Sequence, residues 1–251
     1  LEPCDNGTSI VVDGNVVNIT PLAIANVPPP EYYRDFETPE NVIDVAVSLS
    51  NETYAVLNKN ALVIATVPSL KDMKKGHHPV VVSKLNKLDF ATEMDSFRQI
   101  AFINDTVVGI LLDTESFTRV ALVSVEDVSQ PHVIKIVETF DKAVLLRSSF
   151  DYNTLVYEAK DGTVTQLDAE GQLERIAKFP QLVRDFRVKR VHNVVDSGID
   201  EWEAGSSELV AFGLTGNGKL YANDTLLATA VTSLEITDSL LLFTTAQHNL
   251  Q

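Results

Sequence analysis

Short runs rich in Val, Ile, Thr and Phe recur along the chain, divided by Asn, Asp and Gly, and each run has the length of a strand rather than a helix. Gln99–Ile103, Val107–Asp113, Thr118–Val125 and Val133–Glu138 read as four successive strands, with Asn104-Asp105 as a tight turn between the first two. The next stretch repeats the plan in Val144–Ser148, Thr154–Glu158, Thr163–Leu167 and Leu173–Ala177. Its turns are Asp151–Asn153, Asp161-Gly162 and Glu170-Gly171, where Asn and Gly accept the positive φ that tight hairpins demand. First strands of such sets fall near Ile43, Gln99, Val144, Val183 and Ser233, about 40–56 residues apart. A four-stranded meander repeated at that spacing predicts an all-β chain, a β-propeller of four-stranded antiparallel blades. A β-sandwich is the alternative, but it does not need the near-regular spacing.

Both ends carry hairpins rather than full four-strand sets: Ser9–Val12 with Val16–Thr20 around Asp13-Gly14, and Ser233–Ile236 with Leu240–Thr245. About five blades' worth of strands can be read, so either the ring continues outside this fragment or further strands escape the pattern; the reading is one propeller domain over residues 1–251, a fragment of a longer chain. Leu1 in place of a start methionine points the same way. Ser69–Lys75 and Val125–Ser129 are at most short helical turns. Val27-Pro28-Pro29-Pro30 reads as an extended edge segment.

Gly213-Leu-Thr-Gly-Asn-Gly218-Lys219 nearly spells a phosphate-binding loop, but the next residue is Leu220, which has no hydroxyl for magnesium. Lys219–Ala222 also alternates like a strand, where the motif needs a helix N-terminus. Thr215–Gly218 is therefore read as a hairpin turn. The five histidines, at 77, 78, 132, 192 and 248, lack metal-ligand spacing. No Gly-x-Ser-x-Gly elbow occurs, and Ser206-Ser207 lies in an acidic, turn-like stretch. The single Cys4 cannot form an internal disulfide. No catalytic, cofactor or metal residue is assigned.

Asn-x-Thr occurs at Asn6, Asn18, Asn51, Asn104 and Asn223. The triplets fit either a secreted, glycosylated propeller enzyme such as a glycoside hydrolase or turns in which Asn precedes a strand-opening Thr. The second reading suits Asn51, Asn104 and Asn223 and is preferred, since the chain has no disulfide framework. The candidate protein-interface residues are Lys74, Lys75, His77 and His78, in a short basic loop, and Trp202, the single tryptophan, in the acidic loop Asp196–Glu208.

With 20 basic against 35 acidic residues the formal charge is −15, so the mean field repels RNA. Positive charge bunches only at Lys71–Lys75 and Arg184–Arg190, and the second alternates like a strand that could set its basic residues along one sheet face. Direct RNA binding is not expected, that of tRNA included.

Two segments carry a resemblance. Gly213-Leu-Thr, Gly218-Lys-Leu-Tyr221-Ala-Asn-Asp224, Leu227-Ala228, Thr232-Ser233, Leu242-Phe-Thr-Thr245 and His248, in that order, resemble the second WD-repeat propeller of the Elongator complex's largest subunit. Val12-Asp13-Gly14, Val27-Pro28-Pro29-Pro30 and Tyr33-Arg34 are similar to an earlier part of the same region. The Trp-Asp dipeptides usual in WD repeats are absent. The resemblance implies seven blades in the family, no catalysis by this chain and no cofactor. It further implies a scaffold that meets other Elongator subunits and the rest of its own chain, in the cytoplasm and also the nucleus, without a membrane. Elongator attaches a carboxymethyl-type group to the wobble uridine of tRNAs, with the chemistry in another subunit.

Overall fold

The computed structural model describes residues 7–23, 25, 31–139, 142–148, 155–192, 207–237 and 240–246. They form six antiparallel sheets whose strands follow chain order without a crossover. Sheet I joins β1 (Thr8–Asp13), β2 (Val16–Pro21) and β3 (Arg34–Glu37). Sheet II holds β4 (Val42–Val47), β5 (Thr53–Asn58), β6 (Ala61–Thr66) and β7 (Val80–Asn86). Sheet III holds β8 (Ser96–Asn104), β9 (Val107–Asp113), β10 (Thr118–Ser124) and β11 (His132–Thr139). Sheet IV holds β12 (Ala143–Ser148), β13 (Leu155–Ala159), β14 (Thr163–Leu167) and β15 (Leu173–Lys178). Sheet V holds β16 (Val183–His192), β17 (Ser207–Thr215), β18 (Leu220–Ala222) and β19 (Thr225–Ala228), and sheet VI pairs β20 (Val231–Ile236) with β21 (Leu241–Thr245). Four sheets thus have the up-and-down blade plan read from the strand spacing. The third strand of sheet I was not anticipated. In Arg34-Asp-Phe-Glu37 only Phe36 turns inward, too little alternation to stand out as a strand.

The chain divides into two compact units, Leu1–Phe140 with Ala169–Gly171, and Asp141–Asp168 with Gln172–Gln251. In the first unit, sheet II is apolar on both faces, which explains why Tyr54–Leu57 and Ala61–Ala65 read as unbroken hydrophobic runs. Successive side chains point to opposite faces. Tyr54, Val56, Val63 and Ala65 meet Val17, Ile19 and Phe36 of sheet I. Ala55, Leu57, Leu62 and Ile64 meet Ile100, Phe102, Ile110 and Ala121 of sheet III. In the second unit, Val156 and Val164 of sheet IV pack with Phe186, Val188 and Ala211 of sheet V. The other face of sheet V places Leu214 and Leu220 against Leu234 and Ile236 of sheet VI. Burying each large side chain of this kind contributes about 1.5–3 kcal/mol.

Ile110, in an unbroken apolar run, and Leu220, in an alternating one, are both fully buried, as those patterns predict. Leu242 is not: Leu241 and Phe243 pack on the sheet VI cluster, and the period of two sends Leu242 to the opposite, half-exposed face.

One irregularity repeats from sheet to sheet. In the first strand of sheets II to VI the pairing register skips a residue near the start, at Ile43, Arg98, Val144, Arg184 and Thr232. The fourth strand of sheets II to V skips one too, at Val82, Ile134, Ile176 and Leu227. A bulge bends its strand and sharpens the twist. On the outer strands it also spoils a straight edge that would otherwise pair with another chain.

Candidate interaction surfaces

The basic loop singled out by sequence is a structured element. Ser69 caps α1 (Leu70–Lys74), its hydroxyl accepting from the Asp72 N–H and donating to the Asp72 carboxylate at 2.7 Å. Lys75 Nζ lies 2.8 Å from the same carboxylate. The Lys75 and Ser69 hydrogen bonds hold the Asp72 carboxyl below its usual range, and the His77 charge adds a smaller pull. Buried Met73 anchors the helix in the core between sheets I and II. Gly76, at φ +94°, turns the chain out of it, a conformation costly for a residue with a Cβ.

Arg34 of β3 fastens the loop from outside. Its guanidinium donates to the Met73 carbonyl at 2.7 Å, the Tyr33 carbonyl at 2.8 Å and the His77 carbonyl at 3.2 Å, and lies 4.4 Å over the Tyr33 ring. Lys74, Lys75, His77 and His78 are brought together on this shelf, all exposed. Arg34 was outside the sequence-derived site, because nothing local marks a residue whose partners lie 39 and 43 positions away. Trp202 lies outside the described residues.

The second basic stretch is engaged with its neighbours. Arg187 of β16 pairs with Asp185 at 2.7 Å and with Glu235 of β20 at 3.5 Å. Arg147 of β12 reaches Asp185 at 3.3 Å. Lys189 donates to the Thr237 carbonyl and Arg184 to the Thr232 carbonyl. The alternation read from sequence is real, with Phe186 and Val188 buried between Asp185, Arg187 and Lys189. Those cations tie first strands to one another, in partly exposed pairs worth up to about 1 kcal/mol each.

Thr215–Gly218 is a hairpin turn as expected. The Gly218 N–H donates to the Thr215 carbonyl at 3.1 Å, and the Lys219 N–H to the Thr215 hydroxyl at 2.9 Å. Strand β18 follows in place of a helix, with Leu220 buried.

Three asparagines of the Asn-x-Thr triplets, Asn51, Asn104 and Asn223, shape turns. Asn104 Oδ1 accepts from the Thr106 and Val107 N–H groups, and Asn223 Oδ1 accepts from the Ala211 N–H. Asn51 and Asn223 have positive φ, and Asn18 is buried in β2. Asn6 lies outside the described residues.

Among the described residues no three His, Cys, Asp or Glu gather as a metal would require. A cavity of about 140 Å³ lies beneath α1, lined by Ile19, Tyr54, Val67, Met73, Asn51 and Glu52 among others. It is smaller than the roughly 300 Å³ at which ligand pockets begin, whereas a larger space of about 520 Å³ beside Phe179, Pro180 and Asn223 is a wide, open depression. No described helix is long and apolar enough to cross a membrane.

One buried acid escaped sequence reading. Glu158 of β13 is fully buried, and one carboxylate oxygen accepts the Val183 N–H at 3.0 Å. The other has no partner among the described residues. Burial pushes its carboxyl up to about 7, against the smaller lowering effect of the Val183 bond.

Repeated four-stranded antiparallel blades, each apolar on both faces and edged by a bulged outer strand, define a β-propeller. Residues 11–251 match the family described as "ELP1 N-terminal second beta-propeller", and the chain belongs to that family. It is 68% identical over 251 residues to Elongator complex protein 1 of Saccharomyces cerevisiae, covering all of this chain and 19% of that protein. It is 24% identical over 254 residues to Elongator complex protein 1 of Schizosaccharomyces pombe, covering 99% of this chain and 18% of that protein. The chain therefore spans about a fifth of the length of these curated relatives.

Proposed function

We propose that this chain is a non-catalytic scaffold propeller of an Elongator complex, acting in the cytoplasm and also the nucleus. It holds other subunits and the rest of its own chain in position while a different subunit carries out the carboxymethyl-type modification of tRNA wobble uridine. The observation that carries this reading is the 68% identity along the whole chain to a protein named as an Elongator subunit. The surface chemistry agrees with it. Arg184, Arg187 and Lys189 of β16 are engaged by neighbouring residues, while the shelf around α1 is capped and exposed. Rigid surfaces of this kind suit protein contacts.

The test uses the full-length protein in cells, with and without residues 11–251. Loss of these residues is expected to lower both the co-purified subunits and the modified wobble uridine measured by mass spectrometry of tRNA. Unchanged values for both would refute the scaffold role. Turnover of tRNA by the isolated chain would refute the non-catalytic one.

A further inference from the structure

Exposed positive charge recurs along one continuous segment, residues 71–84, of a chain whose formal charge is −15. Lys71, Lys74 and Lys84 are exposed, and none has an acidic partner among the described residues. His77 and His78 stand beside them, both exposed. The same region presents Val80, Val81 and Val82 of β7, exposed by 58%, 36% and 37%. The register of β7 places Val81 and Lys84 on one face, with Val82 at the bulge between them and Val80 turned to the other face, so exposed apolar surface and positive charge adjoin on this outer strand. The shelf is held rigidly by the Ser69 cap, by Met73 in the core and by the three Arg34 hydrogen bonds, so little ordering entropy would be lost on binding.

We propose that α1, His77-His78 and β7 form a docking shelf for an extended acidic segment of a partner protein. Its Asp or Glu side chains meet Lys71, Lys74 and Lys84, and its apolar side chains cover Val81 and Val82. The charge distribution selects this occupant. A long polyanion such as RNA would sample the whole −15 surface and needs more phosphate contacts than three lysines supply, whereas a short peptide feels the local field within about 10 Å. The valines offer nothing to phosphates. A second copy of the chain would bring another −15 charge toward the first.

The proposal deepens the scaffold reading and rests on it, and the two fail separately. If peptide binding is absent while loss of residues 11–251 still lowers the co-purified subunits, only the shelf is wrong. The experiment is fluorescence anisotropy with a labelled dodecapeptide of alternating Glu and Val, its Lys-Val counterpart, and a poly(U) dodecamer. The acidic peptide is expected to bind and the lysine peptide not. Lys71→Glu/Lys74→Glu/Lys84→Glu should weaken binding about tenfold or more. Lys160→Glu/Arg175→Glu/Lys219→Glu, which adds the same charge elsewhere, should leave it within about twofold. No binding of the acidic peptide, equal loss in both triple variants, or tighter binding of poly(U) would overturn the proposal. So would self-association in sedimentation equilibrium that the first triple variant abolishes, since the shelf would then serve a second copy.

Discussion

Replacing Glu158 by Gln should change the pH dependence of stability in a defined window and direction. The carboxyl is fully buried in sheet IV and its folded-state value is pushed up to about 7, against 4.5 for a free glutamate. Below about pH 4.5 both folded and unfolded chains hold the proton, and the group costs nothing. As pH rises toward 7 the unfolded chain ionises first while the folded chain resists, so stability is lost across this window. Above about pH 7 the loss is complete. At 1.36 kcal/mol per pH unit it amounts to about 3 kcal/mol. Gln keeps an oxygen to accept the Val183 N–H but cannot ionise. Urea unfolding followed by far-ultraviolet circular dichroism, on both proteins from about pH 5 to 8 at one ionic strength, reads the difference. Glu158→Gln should be the more stable protein at about pH 8, by up to about 3 kcal/mol, with the gap closing toward pH 4.5. The difference cancels other titrating groups that do not interact with Glu158. A gap that does not vary with pH, or a wild type more stable at the alkaline end, would show that Glu158 is not held protonated by burial.

Ile110→Ala and Leu220→Ala should each cost about 2–5 kcal/mol in the same unfolding assay, while Leu242→Ala on the half-exposed face should cost about 1 kcal/mol or less. Gly213→Ala should destabilise by about 1–3 kcal/mol, because an added Cβ would stand 2.6 Å from the Phe179 ring and 2.7 Å from Val183. Retained stability would mean that the Phe179 and Val183 side chains give way more easily than their packing implies. In a gel-shift titration at about 100 mM salt, tRNA should bind the isolated chain more weakly than micromolar. Reversing Arg187 should then matter more to unfolding than to any RNA signal, since its guanidinium is held by Asp185 and Glu235.

The basic half of the candidate surface was legible as a run of letters, Lys74-Lys75-Gly76-His77-His78, because charge and glycine are local properties. What makes it a surface is not local. Arg34 fastens the loop across about 40 positions, and the neighbouring valines face solvent only because β7 is an outer strand. The Arg184–Arg190 stretch is the converse case. Its strand alternation was plain, yet only the packing of β12, β16 and β20 shows that its cations meet Asp185, Glu235 and main-chain carbonyls. The blades themselves follow from sequence alone, since a period of two and turn residues at regular intervals are written along the chain. The bulges are not, because a skipped residue is a relation between two strands and leaves no mark in either one. Glu158 belongs with them. It lies among thirty-four other acids in the sequence, and its proton is held by the apolar packing of two sheets that no window of the sequence contains.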